Sequence, residues 1–220
     1  MIKAVFFDLD GTLYDRDALV HEVVSVQHAA FAAELPGISR ERFVSRVLEM
    51  DSHGHGDKAA GYERIVREWQ LDPALAGRLS RHFWEYYDQH CRLSADTATT
   101  LDALKTHGKR LGVITNGATE RQLRKLAALG LADTFDVVLI SEAEGVRKPS
   151  PKIFRRALQA CQVEAGEAVF VGDHPETDIQ GARHAGLLPI WRHVSYFPPV
   201  TDGTLTVHRL VDILPICLRD

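Results

Sequence analysis

A short apolar run that ends in a polar loop and gives way to a helix recurs along this chain, and that alternation restricts the fold more than any other feature. Arg110-Leu111-Gly112-Val113-Ile114 reads as a buried strand. It stops at Thr115-Asn116-Gly117, and a helix begins near Thr119, with Gln122 placed as a capping-box partner and Leu123, Leu126 and Ala127 facing inward. Phe135 to Ile140 is a second such strand, and Ser150-Pro151 opens the next helix with a cap residue and a proline at its first position. Ala168 to Val171 ends in Gly172-Asp173 before a helix from about Glu176 to His184, and Leu188 to Trp191 forms a further strand. Short β-rich runs without polar alternation are buried on both faces of a parallel sheet. The pattern predicts an α/β fold with a doubly wound parallel sheet, whose ligands bind beyond the carboxyl ends of the strands.

The first strand, through Ala4, Val5, Phe6 and Phe7, leads straight into Asp8-Leu9-Asp10-Gly11-Thr12-Leu13. Side chains alternate along a strand, so Asp8 and Asp10 share one side if the extended conformation continues through Leu9. Two carboxylates that converge repel each other unless they share a proton or bind a cation. From Asp15 to Ser94 the texture is helical, with about four amphipathic runs and no convincing strand. The predicted organisation is a core of residues 1–14 and 95–220 with a helical domain, residues 15–94, inserted after the first strand. The run from His208 to Leu218 reads as helical, with Pro215 expected to kink or end it.

Hydrophobic residues make up 45% of the 220 and charged residues 25%, which excludes a disordered chain. A formal net charge of -4 without a basic stripe argues against a nucleic acid polymer as partner. No apolar segment approaches the ~20 residues that span a bilayer, and Asp8 and Asp10 stand where a signal peptide has its apolar centre, so no membrane association and a cytoplasmic location are expected. Cys91, Cys161 and Cys217 are odd in number and far apart, which reads as reduced structural thiols.

With parallel strands, Asp8 and Asp10, Thr115-Asn116, Lys148, and Asp173 with Asp178 gather at one edge of the sheet. Three carboxylates with carbonyl oxygens and water suit a hard cation such as magnesium, which pairs readily with phosphate. Thr115 and neighbouring amides can donate to phosphate oxygens, and Lys148 can offset both Asp8 and a phosphoryl group.

These residues, in this order, resemble the four motifs of the haloacid dehalogenase-like hydrolase superfamily: Asp8-Leu9-Asp10-Gly11-Thr12, Thr115-Asn116-Gly117, Lys148-Pro149, and Gly172-Asp173 followed by Asp178. The resemblance implies a Rossmann-like core, a helical cap of the family's first type, and a magnesium-dependent phosphatase acting on a small phosphorylated metabolite. It implies Asp8 as nucleophile and Asp10 as general acid and base. Mg2+ would be held by Asp8, the Asp10 carbonyl and Asp173, supported by Asp178, with the phosphoryl group bound by Thr115, Asn116 and Lys148. Dehalogenases of the superfamily generally lack an acid at the position of Asp10. A sugar-phosphate mutase, a dehalogenase and a non-catalytic phosphometabolite-binding module are the alternative readings. His53 and His55 read as solvated loop residues, His174 as a turn residue, and Trp69, Trp84, Tyr86 and Tyr87 mostly as core of the helical insertion.

Overall fold

In the computed structural model, which describes residues 1–219, β1 (Ala4–Phe7) is followed by four helices: α1 (Arg16–Ala30), α2 (Arg40–Asp51), α3 (Lys58–Glu68) and α4 (Ala74–His90). Then come α5 (Ala95–Thr106), β2 (Arg110–Thr115), α6 (Thr119–Ala128), β3 (Val137–Ile140), α7 (Ser141–Glu144), α8 (Pro151–Cys161) and β4 (Ala168–Gly172). A π-helix at Pro175–Gln180 leads into α9 (Gly181–His184), β5 (Leu188–Arg192), β6 (Leu205–Val207) and α10 (Leu214–Cys217). The chain divides into two units, one of Met1–Asp15 with Arg92–Asp220 and one of Arg16–Cys91. No helix of the described residues is long and apolar enough to cross a membrane.

The first unit carries a six-stranded sheet in the order β3-β2-β1-β4-β5-β6, every neighbouring pair parallel. This is the α/β, doubly wound Rossmann-like architecture that the strand–helix alternation predicts. β1 lies between β2 and β4 and is fully buried, which explains its unbroken Ala-Val-Phe-Phe sequence. On one face Phe6 and Phe170 from the sheet meet Ile153, Phe154 and Ala157 of α8, with the Phe154 and Phe170 rings edge to face at 5.0 Å. Ser150 caps α8 by accepting from the Lys152 amide, and Pro151 occupies its first turn.

Several local expectations need correction. β3 starts at Val137 because Asp136 is taken up at the edge of β2, its carboxylate accepting from the Leu111 amide at 2.8 Å. The helix expected over 176–184 begins as a π-helix, in which the Asp178 and Ile179 amides both donate to the His174 carbonyl at 3.1 and 3.3 Å. Leu123 is 50% exposed and Ala127 is exposed as well; α6 instead buries Gln122, Lys125 and Leu126. Gln122 therefore caps nothing, and the α6 N-cap, Ala118, has no side-chain cap. In the tail, the three residues of β6 are too few to show a period in the sequence, and Pro215 sits in the first turn of α10, where a proline needs no amide partner.

The Arg16–Cys91 unit is helical throughout its regular structure, with Val20, Val23, Phe43, Ile65, Leu79 and Phe83 in its core. Gln27 is fully buried there and satisfied on both sides: it donates to the Leu79 carbonyl at 2.7 Å and accepts from the Tyr62 hydroxyl at 2.6 Å. Arg16 forms two bonds to Asp51, at 2.8 and 2.7 Å, and Lys58 binds the same carboxylate. Burial opposes the Asp51 charge more than any single neighbour favours it, yet the Arg16 hydrogen bonds and charge, joined by Lys58, bring its pKa down to about 2. Ionised Asp51 thus favours the folded state above its unfolded value near 4, and that contribution is lost as pH falls toward 2. For Asp51→Asn we expect a loss of roughly 2 kcal/mol of pH-dependent stability at neutral pH, with the gap to wild type narrowing below pH about 4. Denaturant titrations of both proteins between pH 7 and 3 check this; a gap that does not change with pH contradicts it.

Candidate active site

The parallel register carries the ends of β1, β2 and β4 to the same edge of the sheet. Asp8 continues the pairing beyond β1 by donating its amide to the Val171 carbonyl at 2.9 Å. Its side chain is buried, with one carboxylate oxygen 2.5 Å from the Lys148 ammonium. Lys148, only 2% exposed, also lies 2.7 Å from Asp178. One buried cation thus links the first motif to the last.

Asp8, Asp173 and Asp178 offer carboxylate oxygens that lie within 4.8 Å of one another, all three residues being buried. Glycines make the room. Gly11 has φ +83°, and a Cβ there would sit 2.5 Å from an Asp173 oxygen; one at Gly172 would sit 2.5 Å from Asp178. Each acid is also held from outside the cluster. The Tyr196 hydroxyl donates to Asp173 at 2.8 Å, and the indole of Trp191 donates to its main-chain carbonyl at 2.7 Å. Asp178 accepts from the His174 amide at 3.0 Å, while the His174 ring accepts from the Glu176 and Thr177 amides, so His174 does shape the turn.

The electrostatics show what such a cluster lacks. Burial pushes the Asp8 pKa up to about 7 against the pull of Lys148, and the Asp178 charge adds to the rise. Burial and the charges of Asp8 and Asp178 raise Asp173 well above the usual carboxylate range. Lys148 is held above its ordinary value: burial works against its charge, but Asp178 and Asp8 outweigh it. One ammonium among three carboxylates leaves excess negative charge in a desolvated place. Hard oxygen donors this close together fit a divalent cation.

The two polar residues of the second motif have different partners. Thr115 is buried at the end of β2 and its hydroxyl accepts from Gln122 at 2.5 Å. The Asn116 side chain brackets the Lys148 main chain, accepting from its amide at 2.9 Å and donating to its carbonyl at 3.0 Å. Asn116 therefore holds the loop that carries Lys148.

Asp10 does not join the three-acid cluster. Its carboxylate accepts from Lys125 through both oxygens at 2.7 Å, from Gln122 at 3.0 Å and from the Tyr14 hydroxyl. The sequence pattern assigns Tyr14 and Lys125 no part in the site and Gln122 only a capping one. The available signal was two polar residues three apart, in register with Leu126 and Leu129 on the face of α6 that ought to be apolar. In the helical unit, His53 pairs with Asp17, and Tyr87 is buried while Trp69, Trp84 and Tyr86 are half-buried. Cys91, Cys161 and Cys217 are buried.

Comparison with known proteins agrees with this geometry. A glyceraldehyde 3-phosphate phosphatase of Pyrococcus abyssi is 33% identical over 195 residues, covering 87% of this chain and 81% of that protein. Among solved structures, a HAD phosphatase from Thermococcus onnurineus has a TM-score of 0.69 at 29% identity, with 98% of this chain and 97% of that one covered. A 2-haloacid dehalogenase from Pseudomonas syringae has a TM-score of 0.63 at 32% identity, with 99% and 98% covered. Residues 2–186 match the haloacid dehalogenase-like hydrolases as a family. With motif order, sheet topology and relatives in agreement, the chain belongs to the haloacid dehalogenase-like hydrolase family.

Proposed function

We propose that the protein is a magnesium-dependent phosphatase that hydrolyses a small phosphomonoester metabolite through an aspartyl-phosphate on Asp8. One observation carries this reading beyond the family: an acid, Asp10, stands two residues after Asp8 and is held by hydrogen-bond donors at both of its oxygens. Phosphoester cleavage releases an alkoxide that needs a proton, whereas halide departs without one. The phosphatase names of the relatives support the same choice over dehalogenation.

Lys148 holds one oxygen of Asp8, which leaves the other to attack phosphorus. Asp10 takes up a proton from solvent as substrate binds, and as the phosphorus–oxygen bond to the leaving group breaks it gives that proton to the departing oxygen. Water then attacks the aspartyl-phosphate and gives its proton back to Asp10, releasing phosphate and regenerating Asp8. Lys148 and the Thr115 hydroxyl balance and orient the phosphoryl oxygens, the Thr115 oxygen already accepting from Gln122 so that its own proton is free to point at substrate. Asp8, Asp173 and Asp178, with the main-chain carbonyl of Asp10, are the groups that would hold Mg2+. When bound, the ion would neutralise charge on the phosphoryl oxygens. We assign the Arg16–Cys91 helical unit the part of a cap that selects the substrate. The cytoplasm is the compartment that buried thiols such as Cys161 and Cys217 suit.

A panel of phosphomonoesters assayed with Mg2+ and with a chelator tests the proposal. We expect phosphate release from at least one small sugar or acid phosphate and loss of that release on chelation. Folded protein without magnesium-dependent release from any ester contradicts it.

A further inference from the structure

The partners of Asp10 are more numerous and more deeply buried than an acid at the end of a strand needs. Gln122 is 2% exposed and Lys125 6%, on successive turns of α6, and both aim their polar ends at the same carboxylate. Burying an ammonium and an amide is unfavourable unless they are paired, and a buried ion pair adds little net stability over apolar residues of similar size. The Gln122 amide nitrogen that reaches Asp10 also reaches the Thr115 hydroxyl. α6 thereby fixes the carboxylate of Asp10 relative to the residue at the end of β2. Donors to both oxygens, with Tyr14 adding to one, oppose rotation of the carboxylate.

We propose that Lys125 and Gln122 are positioning residues for proton transfer, holding Asp10 in the orientation from which it protonates the departing oxygen and then accepts a proton from the attacking water. The inference rests on the phosphatase reading and adds to it two residues that lie outside the four motifs. Neither residue touches substrate; Lys125 acts through Asp10, and Gln122 through Asp10 and Thr115. The plain alternative is an ion pair that only holds α6 to the sheet, and the two make different predictions about the leaving group.

The test compares two esters: the best alkyl phosphate found in the panel, whose alkoxide needs protonation, and p-nitrophenyl phosphate, whose nitrophenolate leaves without it. In Lys125→Met we expect kcat/KM for the alkyl ester to fall about 100-fold, the lower range of general acid–base catalysis, and for p-nitrophenyl phosphate by less than about 3-fold. Hydrolysis of the aspartyl-phosphate still needs Asp10 as base, so p-nitrophenyl phosphate should give a burst of nitrophenolate equal to the enzyme, followed by a slow steady state. Lys125→Arg, which keeps a cationic donor, should recover a large part of the lost alkyl-ester rate. Lys125→Gln keeps a polar end in the buried position while removing the cation, so it carries the same comparison if Lys125→Met does not fold. Equal losses on the two esters, or no loss on either, overturn the positioning role. Absence of wild-type turnover on both esters counts instead against the phosphatase reading.

Discussion

Phosphate release by an Asp8→Asn variant is expected to fall by more than about 10⁴-fold, in the range seen when a covalent nucleophile is removed. The amide oxygen is a poor nucleophile and cannot form a hydrolysable acyl phosphate. Because Asp8 also contributes to the acidic cluster, the assay is run with Mg2+ raised until the rate no longer changes, so weakened metal binding does not mimic loss of the nucleophile. The fold should survive. Burial raises the Asp8 pKa to about 7, so the folded protein carries this charge unwillingly at neutral pH, and Lys148 keeps Asp178 at 2.7 Å after the substitution. We expect a metal-free thermal midpoint at pH 8 no lower than that of wild type. Full activity in this variant would remove Asp8 from the nucleophile role.

Lys148→Met should have the larger effect on stability. It removes the ammonium that stands 2.5 Å from Asp8 and 2.7 Å from Asp178 and leaves two buried carboxylates without it. Breaking a buried pair by deleting one partner costs about 3–5 kcal/mol, most of it from the charge left behind. For a chain of this size that corresponds to a thermal midpoint lower by roughly 10 °C. A divalent cation would supply part of the missing charge, so Mg2+ should raise the midpoint of Lys148→Met by more than it raises that of wild type. Turnover should fall by about 10²–10³-fold at saturating Mg2+, the usual consequence of losing one group that stabilises developing charge. Calorimetry with and without Mg2+ checks the first two expectations, and an unchanged midpoint without metal would contradict the view that Lys148 balances the cluster.

The parts of this molecule legible in the sequence are those in which local chemistry and position along the chain carry the same information. Four β-forming apolar residues in a row before Asp8 read as a strand buried on both faces, and acids at the ends of parallel strands converge wherever such strands lie side by side. The parallel sheet and the grouping of Asp8, Asp173 and Asp178 follow from that, as does the burial of Lys148 among them. What was not legible depends on partners distant in sequence. Lys125 on an amphipathic helix reads as a solvent-facing charge until its ion partner, Asp10, is brought to it by the pairing of β1 with β2. That same partnership turns α6, exposing Leu123, because the helix presents polar donors where an apolar stripe was expected. Asn116 illustrates a third case: its place in the motif was visible, but its use as a bracket for the Lys148 main chain depends on a loop 32 residues away.

The central position of β1 in the sheet has a consequence for how this protein acquires its chemistry. Ala4 pairs with Arg110 on one side and with Ala168 on the other, so the strand that carries Asp8 has no sequence-local neighbour in the sheet. Closing loops of that length has to precede any gain from the pairing, which makes assembly of the middle of the sheet a late and slow event. Until β4 docks, Asp173 and Asp178 cannot join Asp8 and Lys148. A chain cut anywhere before β4 can form helices and part of the sheet, yet lacks two of the three acids of the cluster. The appearance of catalytic competence during refolding should therefore coincide with burial of the last central strand, and activity serves as a reporter of the completed core.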